Sequence, residues 1–200
     1  ELKKVKSKIT YTTNIHDLQD ANFFIATVPT PINNSKNPDF SYLESASELI
    51  GGILKKDDIV VFESTVYPGA TQEICVPILE MASGLKLDED FSIGYSPERI
   101  NPGDNLHKLP NIKKITSGSN PQAAKIIDDL YSTIINAGTV PVSSIETAEA
   151  AKVIENTQRD LNIALANELS LIFQKMNIDT KEVIDAAASK WNFSKFYPGL

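Results

Sequence analysis

The chain has 200 residues, of which 42% are apolar and 22% are charged, a composition typical of globular proteins. Its formal net charge of −7 excludes the basic surface that phosphate backbones require, so we expect no nucleic-acid partner. No apolar run approaches the length of a transmembrane helix and residues 1–6 lack the apolar stretch of a signal peptide, which predicts a soluble cytoplasmic protein without a membrane partner.

Predicted strands and helices alternate over the first two thirds of the chain. Runs rich in β-branched and aromatic residues predict strands at 9–13, 22–28, 58–63, 91–95, 114–116 and 140–142. Helical spacing of apolar residues predicts helices over 42–54, 70–82 and 121–135, the last with Asn120 as cap and Pro121 in its first turn. The alternation predicts an α/β fold with part of a Rossmann-like, doubly wound, mostly parallel sheet, which binds ligands beyond the carboxyl ends of its strands.

From about residue 145 the pattern is entirely helical. One long helix is predicted from about 148 to 176, and another from about 180 to 189 with Asp179 or Thr180 as its cap. We therefore expect one domain over 1–145 and the start of a helical domain over 146–200. Residues 161–173 are apolar nearly all round, so they need a cover. A helix of a second subunit in a homodimer would supply it, and so would residues outside this chain.

Three polar residues of the long helix are spaced to share one face. At about 100° per residue, Lys152, Asn156 and Arg159 emerge on the same side. Two cations and an amide suit an anionic, oxygen-rich ligand, because arginine binds phosphate or carboxylate in bidentate fashion and lysine neutralises an oxyanion. The alternative interpretation is an ordinary solvated helix face.

Polar and proline-rich runs follow three successive predicted strands. They are Val28-Pro-Thr-Pro31, Glu63-Ser-Thr-Val-Tyr-Pro-Gly69 and Ser96-Pro-Glu-Arg-Ile-Asn-Pro-Gly103. Each alone is typical of turns and helix caps. Because they recur after neighbouring strands, we expect them to line a single edge of the sheet.

In order and spacing, these runs and residues 152–168 resemble the UDP-glucose/GDP-mannose dehydrogenase family over essentially the whole chain. Residues 97–104 and 155–164 are most similar to the branch that oxidises UDP-N-acetylhexosamines such as UDP-N-acetylglucosamine. Pro102 stands where the UDP-glucose branch usually has a second glutamate, which argues against UDP-glucose as substrate. No residue indicates which hexosamine epimer is bound.

The resemblance implies an oxidoreductase that converts a sugar C6 alcohol to a carboxylate with two NAD molecules in succession, through an aldehyde and a cysteine-linked thioester, for surface polysaccharide synthesis. Pro29, Thr30 and Thr65 would lie along NAD. Thr65 would also help to position the reacting water, and Glu98 would serve the hydrolytic or general-base step.

The same resemblance assigns the residues that meet the sugar nucleotide. Arg99 and the backbone around Ile100 would hold the substrate. Lys152 would bind the substrate and stabilise the alkoxide and later oxyanions, assisted by Asn156, and Arg159 would bind the substrate.

Two parts of that family's machinery are not found in the chain. None of the nine glycines is spaced Gly-x-Gly, a fingerprint that in the family would precede Glu1, and the segment with the nucleophilic cysteine would follow Leu200. Cys75 is predicted to be a buried helix residue instead, and the distant His16 and His107 indicate no metal site. We therefore expect a fragment that is inactive alone. The alternative is a non-catalytic nucleotide-sugar-binding or oligomerisation module.

Overall fold

The computed structural model describes residues 9–101, 103–104 and 106–199. They form two compact units, one that extends to Ala151 and one that begins at Lys152. Within the described ranges the strands are β1 Phe23–Ala26, β2 Ile59–Phe62, β3 Ser92–Tyr95, β4 Lys114–Gly118 and β5 Thr139–Pro141. The α-helices are α1 Ser41–Gly51, α2 Val76–Ser83, α3 Pro121–Ser132, α4 Ile145–Met176 and α5 Thr180–Ala187.

The five strands form one sheet in the order of the sequence, which confirms the mostly parallel α/β fold. β1, β2 and β3 are parallel neighbours, with Phe24, Val60 and Ile93 in register. β4 is antiparallel to β3 and parallel to β5. The carboxyl ends of β1, β2 and β3 therefore share one edge of the sheet, and β4 begins at that same edge.

Both faces of the sheet are covered, because the strand residues alternate between two apolar clusters. Val60 and Phe62 of β2 pack in the cluster that contains α1 and α2. Ile59 and Val61 of the same strand pack in the cluster that contains α3. All four side chains are buried, and each contributes about 1.5–3 kcal/mol by leaving water. This two-sided burial is why β2 has no polar residue.

Side-chain caps begin two of the helices as the sequence predicts. The Asn120 side chain accepts a hydrogen bond from the backbone N–H of Ala123 (2.9 Å), and Pro121 is in the first turn of α3. The Asp179 carboxylate accepts from the backbone N–H of Glu182 (2.8 Å) at the start of α5. Each cap satisfies a backbone N–H that has no partner inside the helix.

The predicted strand at 9–13 is wrong. The Thr12 hydroxyl donates to the Asp17 carboxylate (2.5 Å) and accepts from the backbone N–H of Asn14 (3.0 Å), next to a 3-10 helix at Ile15–Leu18. Such local side-chain hydrogen bonds compete with strand pairing. Tyr11 is largely exposed, so its strand-forming side chain has no apolar surface to cover among the described residues.

In the second unit the apolar stretch 161–173 is only partly covered. Ala166 is buried, whereas Leu161, Leu165 and Leu171 are more than half exposed. The described residues therefore do not supply the cover that this stretch needs, and the two expected sources, a second subunit and residues outside this chain, both stay predictions.

In the part of the chain that the structure describes, no helix combines the length and the apolarity needed to cross a membrane.

A buried carboxylate near the start of α4 holds the turn that follows β2. Glu149 is fully buried and accepts hydrogen bonds from the backbone N–H of Gly69 (2.5 Å), the backbone N–H of Thr71 (3.0 Å) and the hydroxyl of Thr71 (2.6 Å). Burial raises the pKa of the Glu149 carboxyl, and these hydrogen bonds oppose the rise. Thr71 also begins the π-helical turn Thr71–Cys75, so the predicted helix over 70–82 is confirmed in two parts.

We expect Glu149→Ala to lower the free energy of unfolding by about 1–3 kcal/mol, because it leaves the partly buried N–H of Gly69 and the buried donors of Thr71 without an acceptor. Urea unfolding followed by circular dichroism measures the change. The control is Glu146→Ala, which removes an exposed carboxylate from the first turn of the same helix. Equal stabilities of the two variants would show that the Glu149 hydrogen bonds do not stabilise the fold.

Candidate active site

The segments that follow β1, β2 and β3 enclose a cavity at the carboxyl edge of the sheet. Its volume is about 350 Å³. The residues that line it belong to the first unit and are Thr27, Val28, Pro29, Thr30, Glu63, Ser64, Thr65 and Glu98. The structure thus brings together four site residues that the sequence predicts from separate motifs: Pro29, Thr30, Thr65 and Glu98.

Side-chain hydroxyls join the walls of this cavity where strand pairing ends. The Thr30 hydroxyl donates to the backbone carbonyl of Thr65 (2.7 Å), and the Ser64 hydroxyl donates to the backbone carbonyl of Val28 (2.6 Å). The phenol of Tyr95 donates to the carbonyl of Ser64 (3.1 Å) from the buried end of β3. These bonds replace the ladder that the backbone loses beyond the strands, so the lining is held in place.

Glu98 is part of a tight turn at the cavity. Its carboxylate accepts a hydrogen bond from the backbone N–H of Ile100 (2.5 Å). The backbone N–H of Glu98 donates to the carbonyl of Glu63 (3.4 Å), just beyond the last paired residues of β2 and β3. The carboxylate is half-buried and lines the cavity, as a general base for a bound ligand requires.

The neighbouring predicted substrate residues are placed differently. The Arg99 guanidinium donates to the backbone carbonyl of Lys113 (2.7 Å), so it is held at the start of β4. Ile100 is exposed. Neither side chain is part of the cavity lining. Neither the Arg99 hydrogen bond nor the exposure of Ile100 tests whether these residues bind substrate, so that role stays a prediction.

In the second unit, α4 carries the predicted cation and amide face. The Arg159 guanidinium donates to the side-chain oxygen of Asn156 (2.7 Å), so these two side chains share one face of the helix. Lys152 is one turn earlier in the same helix and is half-buried. Because the amide oxygen of Asn156 accepts from Arg159, the NH₂ group of Asn156 is its remaining donor.

Sequence reasoning missed Glu63 as a site residue. It lines the cavity, forms an ion pair with Lys114 (3.1 Å) and accepts from the phenol of Tyr131. The sequence feature that could have identified Glu63 is its position directly after the wholly apolar strand Ile-Val-Val-Phe. The feature that could have identified its partner Lys114 is a lysine inside a predicted strand.

The lone cysteine of the chain is a core residue. Cys75 is fully buried, and burial raises the pKa of its thiol to about 12. Because the thiolate is the nucleophilic form, this thiol is inert near neutral pH. The prediction that Cys75 is a small buried side chain is confirmed.

Comparison with known proteins gives matches along both units. Residues 2–135 match the NAD binding domain of the UDP-glucose/GDP-mannose dehydrogenase family, and residues 146–200 match the central domain of that family. A solved structure of a UDP-D-ManNAc dehydrogenase from Pyrococcus horikoshii is similar with a TM-score of 0.91 and 34% identity. That similarity covers 99% of this chain and 47% of the other.

Two relatives are more similar in sequence. All of this chain aligns at 62% identity with UDP-N-acetyl-D-glucosamine 6-dehydrogenase of Pseudomonas aeruginosa, and covers 47% of it. The protein of the same name from Salmonella typhi is 61% identical over 95% of this chain, which covers 45% of that protein. The chain thus spans about half the length of the curated relatives it matches.

Proposed function

The chain belongs to the UDP-glucose/GDP-mannose dehydrogenase family, and on that basis we propose that it acts in the NAD-dependent oxidation of a UDP-N-acetylhexosamine at C6. The balanced reaction takes the alcohol, water and two NAD⁺ to the carboxylate, two NADH and three protons. Both 61–62% identical relatives carry the name UDP-N-acetyl-D-glucosamine 6-dehydrogenase, which supports N-acetylglucosamine as the sugar. The product would be a precursor for surface polysaccharide.

One observation carries this proposal. Pro29, Thr30, Thr65 and Glu98 line a single cavity at the carboxyl edge of the sheet, although they come from three segments of the chain. That edge is where open α/β sheets bind dinucleotides and their substrates. The convergence of these four residues supports a reaction site with a general base at one wall.

The cavity lining fits part of a dinucleotide. Thr30 and Thr65 present hydroxyl oxygens, and the Thr30 hydroxyl keeps its acceptor lone pairs because it donates to the Thr65 carbonyl. In this proposal Pro29, Thr30 and Thr65 hold NAD, which supplies the hydride acceptor when bound. Glu98 removes a proton from the water that hydrolyses the thioester left by the second oxidation, a task that suits a half-buried carboxylate.

In this proposal Lys152, Asn156 and Arg159 of α4 stabilise negative charge on the substrate. Loss of a hydride and a proton from the C6 alcohol passes through negative charge on oxygen, which the Lys152 ammonium stabilises. The NH₂ group of Asn156 donates to the same oxygen, because its carbonyl end is engaged by Arg159. Arg159 and Arg99 bind the anionic and hydroxyl groups of the sugar nucleotide, together with the backbone at Ile100.

The alternative, a non-catalytic binding or oligomerisation module, is not favoured. The matched relatives are named as dehydrogenases, and a module without catalysis gives no reason for a half-buried Glu98 in the cavity wall. We further propose that the division between the NAD-binding and helical domains lies at 145/146. The gap between the two family matches, 135 to 146, supports it.

We also propose a cytoplasmic homodimer that joins through α4. The half-exposed Leu161, Leu165 and Leu171 support it, because apolar side chains exposed along one helix favour a covering partner. Sedimentation of the full-length protein at micromolar concentration should give a dimer. A monomer at that concentration would count against this interface.

Assays of the full-length protein with NAD should show preference for UDP-N-acetylglucosamine over its galactosamine and mannosamine epimers. NADH absorbance reports the rate, and we expect two NADH per sugar oxidised. Each epimer differs by the direction of one hydroxyl or acetamido group, so discrimination by hydrogen bonds should be at least about tenfold in kcat/KM. Equal rates with UDP-glucose, or no NADH with any of the three, would refute the proposed substrate class.

Lys152→Met in the full-length protein should lower kcat by about 100- to 1,000-fold while NAD affinity stays unchanged, because one oxyanion donor is lost. The matched control is Lys175→Met, which removes an exposed lysine from the last turn of the same helix. Steady-state kinetics and NAD titration separate the two effects. If both variants keep the original kcat, Lys152 has no role in charge stabilisation.

A further inference from the structure

A buried lysine lies beneath the turn that carries Glu98. Lys114 is 3% exposed, and its ammonium contacts three oxygens: the carboxylate of Glu63 (3.1 Å), the carbonyl of Ser96 (3.1 Å) and the carbonyl of Pro97 (3.2 Å). The ring of Tyr131 adds a cation–π contact, with its centroid 5.0 Å from the ammonium nitrogen. Two of these contacts are hydrogen bonds to backbone carbonyls, and the third is an ion pair.

The antiparallel strand explains how the lysine reaches this place. Lys114 is the first residue of β4, and β4 begins at the edge where β3 ends. In an all-parallel sheet the first residue of this strand would lie at the opposite edge. The reversal of β4 thus delivers a cation to the carboxyl edge, directly beside Ser96 and Pro97.

The acceptors of Lys114 are parts of the site rather than of the general core. Glu63 lines the cavity, and Pro97 immediately precedes Glu98. A second tie to β4 holds the same turn, since the Ser96 hydroxyl donates to the carbonyl of Ile115 (2.6 Å). Lys114 therefore links this turn to Glu63, which lines the cavity.

Burying a lysine is costly, so its retention here needs an explanation. The cost of removing an ammonium group from water is offset only when its hydrogen bonds are fully made. An apolar residue of similar length would fill the same space without that cost. The phenol of Tyr131 donates to the same carboxylate oxygen of Glu63, Oε1, that Lys114 contacts, which restricts the geometry of the ion pair.

We infer that Lys114 is a positioning residue for the oxidation. Its ammonium fixes the turn that carries Glu98 to Glu63, a residue that lines the same cavity. This inference rests on the proposed function, since it assigns Lys114 its effect through the general base Glu98. Lys114 does not touch substrate or NAD in this account. It limits the movement of Glu98 relative to the water that Glu98 activates, and a displacement of about 1 Å in such a geometry is costly for rate.

Lys114→Met in the full-length enzyme tests the inference. We expect kcat to fall roughly 10- to 100-fold, because the turn loses the side chain that links the Ser96 and Pro97 carbonyls to Glu63, while NAD affinity and the KM for UDP-N-acetylglucosamine change only a few-fold. The matched control is Lys125→Met, which breaks an exposed lysine–carboxylate pair with Asp129 on α3 and should keep the original kcat. A purely structural Lys114 would lower the melting temperature and leave the kcat of the folded enzyme intact, which would overturn the inference.

A double variant covers the case in which Lys114→Met does not fold because Glu63 is left as an unpaired charge. Lys114→Met with Glu63→Gln removes both charges and still lacks the tether to the Ser96 and Pro97 carbonyls. We expect it to fold and to show the same loss of kcat. Recovery of the original kcat in the double variant would overturn the inference, because the tether would then be dispensable.

Glu98→Gln separates this inference from the proposed function. A general base contributes at least about 100-fold, so this variant should lose that much of kcat. If Glu98→Gln keeps the original rate, the role proposed for Glu98 fails. If Glu98→Gln is impaired while Lys114→Met is not, the proposed function stands and only the inference about Lys114 fails.

Discussion

Three parallel strands that end at one edge are the constraint on which the candidate site depends. Because β1, β2 and β3 are in register, the backbone leaves the sheet at the same level three times, and each time it loses its ladder partners. Side chains supply the missing hydrogen bonds, as the Thr30 and Ser64 hydroxyls do. The same groups that satisfy the backbone therefore form the walls of the cavity.

The reversed strand β4 adds what a parallel sheet alone does not provide. In a chain with a net charge of −7, it brings a lysine to an edge whose cavity is lined by two carboxylates, Glu63 and Glu98. The ion pair with Glu63 is nearly inaccessible to water, so it depends on the neighbouring hydrogen bonds of both side chains as well as on charge. Specific geometry, rather than extra stability, is the benefit expected from such a pair.

Buried carboxylates serve two different purposes in the first unit. Glu149 is fully buried and accepts from two backbone N–H groups and a hydroxyl, so these hydrogen bonds are directed at the Gly69–Thr71 turn. Glu63 also accepts from buried partners, but it keeps a part of its surface in the cavity. The first arrangement is typical of a structural anchor, and the second of a residue that shapes a binding site.

Local patterns in the sequence were sufficient for the α/β fold and the caps at Asn120 and Asp179, because each depends on neighbours within a few positions and on the alternation of elements. The same alternation placed the runs after the strands at one edge of the sheet, whereas the four cavity residues within them were named through the resemblance to the family. The strand predicted at 9–13 failed because strand propensity does not reveal whether a pairing partner exists. Only the tertiary structure identified Lys114, because no local sequence pattern shows that β4 is antiparallel to β3. Direction within a sheet is set by contacts between distant segments, and so the partners of this lysine were decided by the fold.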